Sequence, residues 1–329
     1  MSESKNSIGE RPVFVSGRQH SGNTLVADLI AGTDGFFGLS KEAQYFDRRF
    51  RLKTLGPDEL EKAMAEVVRR SGLPERLEGR MLTLIADRLK KGMGADALYR
   101  SVMAGLASSE GERRWAQKGT SLVFFTDEIV EVFPDAKILF LLRNPLDLAI
   151  SWNKRYGERT NWLRFAMGWN RGVGLAATME RKHASHFKVV RYEDIVLETE
   201  DTFAAIGDFV EAETPINWQS AVHVNEADTP HIKSSKKGFS KSPIYRFRRV
   251  ELPSEFPALL RRIDGPLFSQ FYPELEEDFE RLKKQGRVGG ALSFWLKSGR
   301  CMMADLRRDW HRSPKHLVNR LKKRLLRSR

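Results

Sequence analysis

The sequence predicts an α/β fold: a parallel β-sheet flanked by helices, with a phosphate-cradling loop near its start and a basic helical C-terminal extension. Three observations carry this. Short, wholly apolar runs alternate with helical stretches, as in a sheet covered on both faces. A loop bounded by glycines directly follows the first such run and precedes a helix. Charge is also segregated. The 329 residues carry a formal +13, yet residues 281–329 alone carry +14 and residues 1–280 carry −1. The boundary is therefore set between a domain at 1–285 and an extension at 286–329, and the neutral domain is not expected to bind nucleic acid.

Val13–Ser16 is the first apolar run, and the Gly17–Gly22 loop follows it. Thr24–Ala31 then places Leu25, Val26, Leu29 and Ile30 on one helical face, and Gly32 closes it. A mostly helical insertion at about 50–115 reads with breaks at Gly72, Pro74, Gly79 and Gly92–Gly94. Lys137–Leu142 is a strand that Arg143 ends. Asn144 caps a helix that Pro145 opens and that runs to about Tyr156. Phe187–Tyr192 is another strand, with a helix from about Glu200 to Val210, and Lys233–Ser242 is a loop rich in Gly, Ser and Lys.

Composition narrows the chemistry. A single thiol, Cys301, excludes an intramolecular disulfide framework and a cysteine zinc site. His183 and His186 lack the spacing of a metalloprotease helix. No apolar run nears the roughly 20 residues that span a bilayer, and the polar start lacks the apolar core of a signal peptide. A cytoplasmic protein is expected.

Gly17-Arg18-Gln19-His20-Ser21-Gly22-Asn23-Thr24 has the GxxxxG-x-[ST] spacing that lets backbone N–H groups wrap a phosphate at a helix N-terminus. Asn23 stands where a nucleotide hydrolase has its lysine, and no Walker-B aspartate is evident, which argues against ATP or GTP hydrolysis. What remains is a cradle for a short anion such as a phosphosulfate. Arg143 at a strand end and Ser151 two turns into the next helix suit a phosphate monoester. Both loops leave strand carboxyl ends, so one adenosine carrying separate 5′ and 3′ anions fits both.

At these residues the chain resembles the sulfotransferases that use 3′-phosphoadenosine 5′-phosphosulfate (PAPS). His20-Ser21-Gly22-Asn23-Thr24-Leu25 is similar to their [RK]-S-G-T-T-L signature. Arg143-Asn144-Pro145-Leu146-Asp147 through Ser151 matches R-[DN]-P-x-[DE]-x-x-x-S. Lys41-Glu42-Ala43-Gln44-Tyr45-Phe46-Asp47 resembles the [KR]-E-x-H-[FY]-F-D segment of the carbohydrate branch, and Gln117-Lys118-Gly119-Thr120 resembles E-K-[TS]-P. Arg191-Tyr192-Glu193-Asp194 is similar to a recurring R-Y-E-D, and Lys236-Lys237-Gly238 is a loose echo of an R-K-G loop near the 3′-phosphate. The matches run in the family's order from Pro12 to Val210.

The resemblance implies a P-loop-type sulfotransferase fold and in-line sulfuryl transfer from PAPS, without a metal, to a hydroxyl or amine. The acceptor it favours is a carbohydrate or glycolipid. It implies Glu42 as base and Ser21, Gly22, Asn23 and Thr24 at the 5′ end of PAPS or its product PAP. Arg143, Ser151 and Lys236–Gly238 fall to the 3′-phosphate. The cation beside the leaving oxygen is His20, Arg18 or Lys118.

Plainer readings stand beside these. Glu42 is a surface carboxylate, Lys118 a solvated turn lysine, Arg143 a partner of Asp147, and Ser151 a donor to its own helix. Gly172-Val173-Gly174 fits a dinucleotide pattern but follows no strand. Trp152, Trp162 and Trp169 read as core or cleft wall. Phe294, Trp295, Met302, Met303, Leu306 and Trp310 suggest an amphipathic helix, and Leu317, Leu321 and Leu325 recur among bases to the end of the chain. Residues 286–329 thus read as an anionic-membrane contact, as a solvated tail, or as a helix docked on its own domain. The competing functions are a P-loop small-molecule kinase and a non-enzymatic protein that binds nucleic acid or membrane through the tail.

Overall fold

A computed structural model describes residues 9–39, 41–221, 239–286 and 288–312. In chain order come β1 (Val13–Gly17), α1 (Asn23–Ala31), β2 (Phe36–Gly38), α2 (Tyr45–Leu52), α3 (Pro57–Arg70), α4 (Glu75–Lys90) and α5 (Ala95–Ser109). There follow β3 (Arg114–Lys118), α6 (Thr126–Val132), β4 (Lys137–Leu142), α7 (Pro145–Tyr156), α8 (Trp162–Lys182), β5 (Phe187–Arg191), α9 (Tyr192–Leu197) and α10 (Thr199–Val210). The last helices are α11 (Phe256–Leu260), α12 (Gly265–Phe271), α13 (Glu276–Lys284) and α14 (Val288–Arg312).

The five strands form one sheet in the order β2-β3-β1-β4-β5, and all pairings are parallel. The register pairs Val15 with Lys118, Gly17 with Leu141 and Leu142 with Arg191. The loops after β1, β3, β4 and β5 therefore leave the same carboxyl edge, where open α/β sheets bind ligands. Strand alternation builds the two faces. Val13 and Val15 join Val26, Leu29, Ile30, Leu139, Leu141 and Ile206 in one apolar cluster. Phe14 points the other way, with ring centroids 5.7 Å from Phe46, 5.2 Å from Trp115 and 6.2 Å from Phe133.

The described chain divides into two compact units, residues 1–143 with 172–244, and residues 144–171 with 245–329. The first holds the sheet. The second holds α7, the start of α8 and α11–α14. Within the second unit Asn144 caps α7, its side chain accepting from the Asp147 N–H at 2.8 Å. The buried Asp147 carboxylate accepts from the backbone N–H groups of Tyr245 at 2.8 Å and Phe247 at 3.0 Å. Its carboxylate also accepts from the Asn144 side-chain nitrogen at 3.1 Å. Trp152, Trp162 and Trp169 are buried there.

Most expected elements are present, with two differences. Gly79 breaks nothing: it is exposed inside α4, where a missing side chain costs only about 1 kcal/mol. Strands β2 and β3 were not anticipated, since one has three residues and the other is polar at both ends. Gly172–Gly174 lies within α8, so the dinucleotide pattern is incidental.

Candidate active site

The loop after β1 has the backbone of an anion cradle. Gly17, His20 and Gly22 all have positive φ, at 141°, 70° and 89°. A Cβ on Gly17 would lie 2.4 Å from the Leu141 carbonyl oxygen, and one on Gly22 would press the Tyr192 ring at 3.1 Å. Glycine is required at both. Gly22 caps α1 without a side-chain hydrogen bond, and the first turn has no acidic residue, so its N–H groups and positive dipole end stay available. The Ser21 Oγ, on a residue 1% exposed, finds no hydrogen-bond partner among the described residues. A buried hydroxyl of this kind costs energy unless a ligand or water serves it.

Asn23 does not substitute for the missing lysine. Its side-chain nitrogen donates back to the carbonyls of Gly17 at 2.9 Å and Arg18 at 3.2 Å, bracing the loop from inside. A cation approaches from the neighbouring strand. Lys118, the last residue of β3, donates from Nζ to the Thr24 Oγ1 at 2.8 Å, which puts its ammonium over the first turn of α1. The next residue continues the register, with the Gly119 N–H bonded to the Val15 carbonyl at 2.9 Å.

Arg143, 6% exposed, donates to the carbonyls of His20 at 2.9 Å and Pro243 at 3.1 Å. Its guanidinium lies 4.7 Å from the centre of the Tyr192 ring, the same ring that walls Gly22. One arginine thus joins the loop after β1, the start of α9 and the segment containing Pro243. His20 is exposed and Arg18 half-buried on that loop. Ser151, in the second unit, donates to the Asp147 carbonyl one turn back at 3.1 Å. Lys236, Lys237 and Gly238 lie outside the described residues.

Glu42 is half-buried on the connection between β2 and α2. That connection is fixed at both ends. The Leu39 N–H bonds to the Ala116 carbonyl at 3.0 Å, extending β2 along β3, and the Ser121 hydroxyl donates to Asp47 at 3.0 Å. Behind it, Arg49 forks onto Asp96 (2.8 and 2.7 Å) and Glu131 (2.9 and 2.7 Å). Burial raises the Asp96 carboxyl, but hydrogen bonds from Arg49 and Tyr45 and the charge of Arg49 outweigh it and hold the group at about 2. Tyr45 stacks on Tyr99 at 3.9 Å between ring centroids. The Tyr99 hydroxyl donates to Gln117 at 3.1 Å, one residue before Lys118. The segments bearing Glu42 and Lys118 are therefore braced by one network. Its members Arg49, Asp96, Tyr99 and Glu131 belong to no short motif, and the sequence offered no signal for them.

A family model described as the sulfotransferase family matches residues 12–215, more than half of the chain. The chain belongs to the sulfotransferase family. It is an enzyme of sulfuryl transfer, and its five-stranded parallel sheet with the loop after β1 is the fold of that family. The sulfotransferase domain from the curacin biosynthetic pathway superposes with a TM-score of 0.50 at 15% identity, over 75% of this chain and 93% of that one. The sulfotransferase domain of the Synechococcus PCC 7002 olefin synthase gives 0.49 at 18% identity, over 75% and 90%. No curated protein matches the sequence.

Proposed function

We propose that this sulfotransferase uses PAPS as donor and transfers to a hydroxyl or amine of a carbohydrate or glycolipid acceptor. The observation that carries the donor reading is the loop after β1. It combines a helix start with no side-chain cap, two glycines at positive φ and a buried serine hydroxyl without a partner among the described residues, features that suit a compact anion. PAPS would supply a sulfuryl group on its phosphosulfate anhydride, whose S–O bond breaks as the acceptor atom bonds to sulfur and PAP departs.

The chain's own contribution is positioning and charge. Ser21, Gly22, Asn23 and Thr24 would bind the 5′ end, with Asn23 acting by holding the loop's shape. Lys118 would offset charge on the departing phosphate oxygen. Its link to Thr24 favours it over His20 and Arg18 for that task. Arg143 would hold the 3′-phosphate, exchanging carbonyl partners for phosphate oxygens, with Ser151 and Lys236–Gly238 assigned there by sequence motif. Glu42 would take the acceptor's proton. The carbohydrate or glycolipid acceptor rests on the Lys41–Asp47 resemblance.

Calorimetry with PAP tests the donor. Binding by the wild type that weakens strongly in Arg143→Ala and Ser21→Ala supports it. No binding to the wild type, or Mg²⁺-dependent ATP turnover, refutes it. Radiolabelled donor with a panel of desulfated glycans, glycolipids and phenols tests the acceptor class.

A further inference from the structure

Helix α14 is docked by its polar side. Ser293 and Lys297 both reach Glu255, at 2.6 and 2.8 Å, and that carboxylate is only 4% exposed. Lys297 also meets Glu158 at 3.1 Å, the Leu163 N–H donates to the Ser298 hydroxyl at 3.2 Å, and Cys301 bonds the Arg159 carbonyl. Phe294 is the large apolar side chain that turns inward with them. The sequence had placed Phe294 on one apolar face with Trp295, Met302 and Met303, and the structure separates them.

The apolar side faces outward. Val288, Leu292, Trp295, Leu296, Met302 and Met303 are all exposed, and they are six of the ten exposed large apolar residues among those described. At 3.6 residues per turn they fall within an arc of about 120°, with Gly299 in its middle. An amphipathic helix that served folding alone would present the opposite face. Arginines edge the stripe: the Arg262 guanidinium lies 5.1 Å from the centre of the Trp295 ring, Arg261 adjoins Gly286 at the helix start, and exposed Arg300 is on the helix itself. The chain from residue 281 onward carries +14.

We infer that α14 is a membrane-surface helix, lying in the plane of an anionic lipid headgroup layer with this stripe among the acyl chains. Charge selects this occupant. A second copy would bring the same +14 segment against itself, whereas each base near an anionic leaflet contributes about 1 kcal/mol of attraction. No described helix is long and apolar enough to cross a membrane, and an apolar stripe along one side of a helix suits the interface. The inference is independent of the donor and acceptor readings.

The test uses the full chain and vesicles of phosphatidylcholine alone or mixed equally with phosphatidylserine. Co-sedimentation should require phosphatidylserine, and Leu296→Glu and Met303→Glu should each weaken it about tenfold or more while leaving the melting temperature in place. Bromine-labelled acyl chains should quench wild-type tryptophan fluorescence, with much of that quenching lost in Trp295→Phe, a reading that does not depend on the charged variants folding. Absence of vesicle binding overturns the inference. So does binding that Leu296→Glu and Met303→Glu leave unchanged, which assigns it to the basic tail, or a dimer in sedimentation that those variants dissolve, which assigns the stripe to a second copy.

Discussion

Replacing Asp147 by asparagine tests how the sequence motif from Arg143 to Ser151 works. Asp147 is 1% exposed, and its carboxylate accepts hydrogen bonds from the Tyr245 and Phe247 backbone N–H groups and from the Asn144 side-chain nitrogen at 3.1 Å. An amide has one acceptor oxygen, so in either orientation its NH2 faces a backbone N–H. At least one bond to a charged acceptor disappears and one buried donor is left unserved. Hydrogen bonds to charged groups contribute about 1.5–3 kcal/mol each, so Asp147→Asn should lower unfolding stability by about 2–5 kcal/mol. The assay is urea unfolding followed by tryptophan emission. The m-value should hold while the midpoint falls. Below its unfolding range the variant should keep kcat within a few-fold. A loss of stability under about 1 kcal/mol together with collapse of kcat would refute the reasoning and place Asp147 in the chemistry.

Four further outcomes follow from the same geometry. Glu42→Gln should abolish turnover while PAP affinity, read by calorimetry, stays nearly unchanged. Asn23→Ala removes two backbone braces and should cost about 1–3 kcal/mol in chemical denaturation, with weaker PAP binding. If Lys118 assists the leaving group as proposed, Lys118→Ala should lower kcat far more than it raises KM for the donor. The Asp96 carboxyl sits at about 2, below its unfolded value, so its stabilisation is complete above about pH 4 and is lost as pH falls toward 2. That contribution is about 1–2 kcal/mol after discounting for partial exposure. Asp96→Asn should flatten the acid limb of the stability curve between those values.

The legible parts of the fold were those written locally. The apolar run at Lys137–Leu142, the Asn144–Pro145 start of α7 and the glycine loop after β1 each rest on neighbours within a few residues. Strand order is not local, and neither is β2, whose three residues Phe36-Phe37-Gly38 become a strand through pairing with Arg114–Ala116. The same divide runs through the site. Lys118 and Arg143 were visible as residues, yet the sequence could not show that one reaches Thr24 and the other rests on Tyr192. The aspartate of the second motif read as a partner for Arg143; the sequence carried no sign that it also accepts from Tyr245 and Phe247, about a hundred positions away. Gly79 failed in the opposite sense: a residue that usually interrupts was tolerated because it faces solvent.

Lys118 enters from a strand and not from the helix that follows the glycine loop. On the proposed reading, shape and charge around the anion would be supplied by separate stretches of chain, held in step by the pairing of Val15 with Lys118. A substitution in the loop can reshape the cradle without removing its cation. A shift of one residue in β3 would withdraw Lys118 from Thr24 and leave the loop whole, so the spacing of the two is set by strand alignment.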